Sequence, residues 1–187
     1  MGWILLGTVA VLVLLVVGIY NSLVRLKVQS ENAWADIDVQ LKRRHDLIPN
    51  LVETVKGYAG HEKQTLEDVI TARNRAMSAT TPGSKAEAEG ILAQSLKSLF
   101  ALAEAYPQLR AVESFNQLQG SLNQIEEALQ SARRYYNAVV RDLNTKIQEF
   151  PSNFIANFFS FKAREFFEIA EAAERAVPKV SFEQASR

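Results

Sequence analysis

Cysteine is absent from all 187 residues, which excludes a disulfide framework and a thiolate zinc site and leaves the redox compartment undetermined. Charge of either sign is in no excess: 21 basic residues face 21 acidic ones. That balance argues against nucleic acid as a partner, because such a partner requires a strongly basic face. Glycine and proline are sparse, at eight and five residues, and β-branched alternation is rare, so the composition reads as helical. The most informative absence is local. From Met1 to Val24 there is no charged side chain, and every charged residue falls between Arg25 and Arg187.

Within that uncharged stretch, Trp3 to Tyr20 reads WILLGTVAVLVLLVVGIY. An apolar run of 18 or more residues is the mark of a membrane span, since a helix alone satisfies its own backbone in lipid. At about 1.5 Å per residue the run measures roughly 27 Å, close to the hydrocarbon thickness. Trp3 and Tyr20 stand at its two ends, where amphipathic rings prefer the headgroup level. A cleaved secretory signal is the rival reading. The run has no basic start, and GIYNS offers no small-x-small cleavage site, which favours the anchor. Arg25 and Lys27 follow the span and no basic residue precedes it, so the positive-inside tendency places the following domain in the cytoplasm.

Residues 25–177 suffice for one domain with its own core, leaving 178–187 as a tail. Pro49, Pro82, Pro107, Pro151 and Pro178 divide this domain into helical blocks. No turn signal separates the anchor from the first block, where Leu23, Leu26, Trp34, Ile37, Leu41 and Ile48 keep helical spacing. Pro49, with no turn residues around it, reads as a kink, and Gly57 and Gly60 mark a break. Ser78 to Gly90 (SATTPGSKAEAEG) reads as a loop, with Ser84 capping the helix that follows. Tyr106–Pro107 ends that helix.

Phe115, Leu118, Leu122, Ile125, Leu129, Ala132, Tyr136, Val139 and Leu143 then alternate at spacings of three and four, a heptad seam on a long helix. The expected use of this seam is inside one bundle; a seam shared between chains is the alternative. Phe150–Pro151 ends the helix, and Ser152 or Asn153 is placed to cap the next one. Seven of the ten phenylalanines lie between Phe150 and Phe167. Phe154, Phe158 and Phe161 share a helical face expected to fill the core, the alternative being a contact with a partner or with lipid. Arg164, Glu165, Glu168, Glu171, Glu174 and Arg175 would give that last helix a polar side.

No catalytic set is visible. His61–Glu62 begins like a zinc-protease motif, but Thr65 stands where the second histidine must be. His45 and His61 are expected on the surface. Phosphate-binding glycine loops and the nucleophile elbow are both missing. Asp36, Asp38 and Asp46, like Glu126 and Glu127, read as solvated helix faces. Lys42, Arg43 and Arg44 form the densest basic cluster, about 30 Å beyond the span at helical rise, too far to hold anionic headgroups. Surface salt bridges or a partner contact are its two readings.

The words AWADIDVQLKRRHDLIPNLVETVKGYAGHE, EAYPQLRA, RRYYNAVVRDLN and FPSNFIANFFSFK, in this order behind an apolar N-terminus, resemble the LemA family over nearly the whole chain. The resemblance implies a single-pass bacterial membrane protein with a long-helix soluble bundle and no established enzymatic activity or catalytic residues. It also implies that the segments 46–58 and 150–153 are characteristic surfaces, and, since genes of this family often neighbour those of membrane metalloproteases, a place in envelope quality control. The expected fold is all-α, with the transmembrane helix continuing into an antiparallel bundle of about four long helices. The expected function is a non-enzymatic, self-associating scaffold or adaptor in the inner membrane, with a membrane protease as candidate partner. A membrane-shaping or lipid-interacting protein is the alternative. Neither requires a cofactor, a metal, nucleic acid or a small-molecule substrate. Expected contacts are Trp3 and Tyr20 at the membrane interface, and Lys42, Arg43, Arg44, Phe154, Phe158 and Phe161 toward a partner or lipid.

Overall fold

The computed structural model describes residues 1–168. Six helices follow one another: α1 (Gly2–Ala59), α2 (Lys63–Ser78), α3 (Pro82–Glu104), α4 (Pro107–Arg110), α5 (Glu113–Gln148) and α6 (Ser152–Phe158). No strand occurs among the described residues. The glutamates and arginine expected at 171–175, and the tail from Pro178, lie outside them.

The apolar run and the domain share α1, a single helix of 58 residues and roughly 87 Å at helical rise. Its residues 2–18 are all exposed among the described residues. Burial begins at Leu23 and continues through Ser30, Ala33, Ile37, Leu41, Arg44, Ile48, Leu51 and Val55, a stripe at helical spacing. Pro49 sits inside the helix without ending it. A proline lacks the N–H that would bond the carbonyl four residues earlier. That carbonyl, of His45, accepts instead from Arg73 Nε on α2 at 2.7 Å. A tertiary hydrogen bond thus replaces the one the proline removes.

The break at Gly60 turns the chain back along α1 as α2. The expected long loop from Ser78 to Gly90 shrinks to residues 79–81, because proline favours the first helical position and alanine and glutamate extend what it starts. Thr81, not Ser84, is the cap. Its hydroxyl accepts from the Ser84 amide and the Ser84 hydroxyl accepts from the Thr81 amide, both at 3.1 Å, a reciprocal capping box. Arg75 bonds Glu87 at 2.7 Å across the turn. After α3 ends at Tyr106–Pro107, α4 bridges to α5, which descends antiparallel beside α1.

The seam on α5 faces inward as spaced. Phe115, Leu122, Ile125, Leu129, Tyr136, Val139 and Leu143 are buried, with Leu118 and Ala132 packed at the edges of the two cores. The bundle therefore has two tiers. In the upper tier α1, α2, α3 and α5 enclose a core that includes Leu51, Val55, Val69, Leu92, Leu99 and Leu122. In the lower tier α1 and α5 close on Ala33, Ile37, Tyr136, Val140 and Phe167.

Below that tier the final helix expected from the aromatic pattern is only seven residues long. Ser152 is its first residue but does not cap it. Its hydroxyl donates to the carbonyls of Lys146 and Glu149, closing the end of α5, while Asn153 Oδ1 accepts from the Phe154 amide at 2.9 Å. At Ser160, with φ of 58°, the chain reverses and residues 161–168 run without helix. Arg164, Glu165 and Glu168 therefore belong to an irregular segment, not to a helix face. Two asparagines hold that segment. Asn144 receives the Arg164 amide and donates to its carbonyl, both at 2.9 Å; Asn137 does the same for Phe167 at 2.9 and 3.1 Å. Seven residues of helix rise about 10.5 Å, and three residues of extended chain span about 10 Å. The two spacings match, so each side-chain amide pairs with a backbone peptide as a strand would.

Candidate functional site

The basic run at 42–44 divides. Lys42 and Arg43 are exposed, while Arg44 is buried and is no surface salt bridge. Its Nη1 lies 3.4 Å from Glu89 and 3.3 Å from Glu126. His45, expected on the surface, is buried too, its Nε2 hydrogen-bonded to Glu89 Oε1 at 2.6 Å. His61 is exposed. Glu89 is fully buried, as a carboxylate is only when paired. Together with the Arg73 bond to the His45 carbonyl, these contacts tie α1, α2, α3 and α5 at one level. A recess of about 260 Å³ lined by Lys42, His45, Asp46 and Lys85 opens beside the node. Farther round, Arg43 lines a groove of about 450 Å³ between α1 and α5 with Leu47, Ile125 and Ala128. No group of three or more His, Cys, Asp or Glu suited to a metal occurs among the described residues.

The aromatic cluster lies at the other end, and it does not fill the core. Phe154 is 65% and Phe158 81% exposed, and Phe150 is equally open. Phe161 is half-buried. Only Phe167 enters the interior, edge-on to Trp34 at 5.6 Å. Helical spacing put Phe154, Phe158 and Phe161 on one face, but α6 is too short to carry that face across the bundle. Phe159 and Phe161 instead pack on Tyr20, with ring centroids 4.7 and 5.9 Å away. Tyr20 ends the apolar run, so α6 and the turn after it lie level with the end of that run. Trp3 is exposed at the opposite end.

Between α1 and this turn a cleft of about 580 Å³ opens. Tyr20, Val24, Phe159 and Phe161 line its lower part, and Lys27, Lys162, Glu31 and Arg164 its upper part. Arg164 is paired with Glu31 at 2.7 Å. The Tyr136 hydroxyl donates to the Glu165 carbonyl at 2.8 Å. Burial pushes its phenol above the ordinary value of 10.0, the nearby Arg164 opposing and Glu165 adding to that shift.

Sequence reasoning missed Glu89, Arg73, Asn137 and Asn144. The asparagines carried a signal, since both follow α5 seam positions by one residue and stand one heptad apart. Glu89 carried none, lying in what read as a loop.

Among the described residues one helix, α1, is long and apolar enough to cross a membrane. The pattern of the LemA family matches residues 33–182. Magnetosome protein MamQ 1 of Paramagnetospirillum magneticum is 24% identical over 181 residues, covering 83% of this chain and 66% of its own length. Magnetosome protein MamQ of Magnetospirillum gryphiswaldense is 22% identical, with 79% of this chain and 64% of that protein covered. Protein LemA of Metamycoplasma hominis is 25% identical over 153 residues, 80% of this chain and 68% of its own. The chain thus spans about two thirds of the length of these relatives, and none of their names states an enzymatic activity. With a match over four-fifths of its length and the long-helix bundle in view, the chain belongs to the LemA family.

Proposed function

We propose that this protein is a non-enzymatic scaffold or adaptor, fixed in the bacterial inner membrane by residues 1–24 with its bundle in the cytoplasm, and acting through protein–protein contacts. The observation that carries this reading is α1. A helix that crosses the membrane and then forms the spine of the domain, unbroken through Pro49, holds the bundle at a set angle to the bilayer and serves to present a surface. The groove between α1 and α5 beside Arg43 is the surface assigned to a partner, with a membrane protease of envelope quality control as the candidate. Self-association belongs to the same reading. Native mass spectrometry of the full chain in mild detergent tests it: dimers or larger species are expected, and a monomer at every concentration overturns it.

A second reading, a lipid-interacting structural protein, is favoured by the exposed Phe150, Phe154 and Phe158 beside the span. Because the chain has no cysteine, Phe158→Cys accepts a single environment-sensitive label in the reconstituted protein. An apolar environment is expected at that label, and a fully aqueous one sinks the lipid contact.

A further inference from the structure

We propose that the cleft between α1 and residues 159–164 seats one anionic phospholipid headgroup from the leaflet on the bundle's side of the membrane. The inference rests on the reading of residues 1–24 as a membrane span, and it names a ligand for a surface that the scaffold reading leaves unused.

Position comes first. Tyr20 closes the apolar run, so it stands at the boundary of hydrocarbon and headgroups. Phe159 and Phe161 pack on it and are fixed at the same depth. Val24 lies about 6 Å, Lys27 about 10 Å and Glu31 about 16 Å above it at helical rise. The headgroup zone is about 5–7 Å deep. Helical side chains tilt toward the helix N-terminus, which on α1 is toward the bilayer. The long Lys27 stem therefore brings its ammonium down into that zone.

Chemistry follows the same order. The floor of the cleft is apolar, formed by Tyr20, Val24, Phe159 and Phe161, and its mouth is cationic. At the top, Glu31 is already engaged by Arg164, which neutralises the one carboxylate facing the cleft. Lys27 and Lys162 are exposed and have no ion-pair partner among the described residues. Two free ammonium groups above an apolar floor at headgroup depth complement a phospholipid, with its phosphate above and its acyl chains below. A volume of about 580 Å³ falls within the range of small-molecule sites. The basic run at 42–44 is excluded from this role by its height.

The test uses the full chain in nanodiscs of equal phosphatidylglycerol and phosphatidylethanolamine, released for native mass spectrometry. One phosphatidylglycerol retained per protomer, in preference to phosphatidylethanolamine, is expected. A basic residue near the membrane surface contributes on the order of fivefold in affinity. Lys162→Gln is therefore expected to reduce retention about fivefold, and the double variant Lys27→Gln/Lys162→Gln about 25-fold. Both lysines are exposed, so helicity by circular dichroism should be unchanged. Lys97→Gln, on the membrane-distal part of α3, is expected to behave as wild type. Three results overturn the proposal: no preference between the lipids, a double variant that retains lipid as wild type does, or displacement of the lipid by millimolar inorganic phosphate. Extraction of the chain from membranes by alkaline carbonate would instead overturn the membrane span itself.

Discussion

The middle of the bundle buries Arg44, His45 and Glu89, whereas its end beside the apolar run leaves Phe150, Phe154 and Phe158 outside. Each region inverts the ordinary distribution of polar and apolar side chains, and for a different reason. A buried carboxylate and guanidinium persist only if the partners satisfy each other, because desolvation costs several kcal/mol per ion. Here Glu89 pairs with both His45 and Arg44, and Glu126 lies 3.3 Å from the same Arg44 Nη1. At the other end none of the described residues covers the rings. Three large apolar side chains beside the end of a membrane span suit an environment where exposure costs little, which is the bilayer interface. The node is closed by contacts within the protein, and the aromatic end is the surface that the proposed lipid contact would complete.

Removing Glu89 breaks the first half of that comparison. Glu89→Ala leaves Arg44 and His45 buried without their shared acceptor, and loss of one partner of a buried pair costs about 3–5 kcal/mol. Chemical denaturation of the full chain in detergent reads the loss. A destabilisation below about 1 kcal/mol would mean that Glu126 and water replace the carboxylate, and that the node is not closed.

The second contrast sets one residue type against itself. Phe167 is fully buried against Trp34 and Tyr136, so Phe167→Ala is expected to cost about 3–5 kcal/mol. Phe158, nine positions earlier, is exposed, and Phe158→Ala is expected to shift stability by no more than about 0.5 kcal/mol. The same denaturation measurement checks both. Equal losses would place Phe158 in a packed interior and remove the case for a lipid contact.

These two regions also mark where the sequence stops being legible. Whatever rests on repetition could be read: the apolar span, the unbroken run from Tyr20 to Ile48, and the α5 seam from Phe115 to Leu143. Pro49 reads as a kink and not as an end because no turn residue accompanies it, and α1 does continue through it. The node could not be read, since it joins residues 44 and 45 to residue 89, and nothing local distinguishes a glutamate that will be buried from one that will be solvated. The loop reading of residues 78–90 hid it further, because Pro82–Gly83 signals a turn and a helix start with equal force. The aromatic face failed for the opposite reason. Its period was sound, but Ser160 adopts a left-handed conformation that ends α6 before Phe161 joins the face. The clamp of Asn137 and Asn144 on the returning chain then takes the place a longer helix would have filled.

That clamp has a third member, and it gives the most specific effect. Tyr136 donates to the Glu165 carbonyl beside the two asparagines, anchoring the segment that positions both Phe167 and the turn beside Tyr20. Tyr136→Phe removes one hydrogen bond and is expected to cost about 1 kcal/mol at neutral pH. The pH dependence identifies the cause. Burial raises the phenol above 10.0 in the folded chain, so the folded state holds this proton more tightly than the unfolded state. Its contribution is then complete below about pH 10, the unfolded value, and is lost as pH rises through the folded value. The stability gap between wild type and Tyr136→Phe should therefore stay constant from neutral pH to about 10 and narrow beyond it. The absence of any gap at neutral pH would show that Tyr136 acts through ring packing on Trp34, 5.3 Å away, which Tyr136→Phe keeps, and not through its hydroxyl.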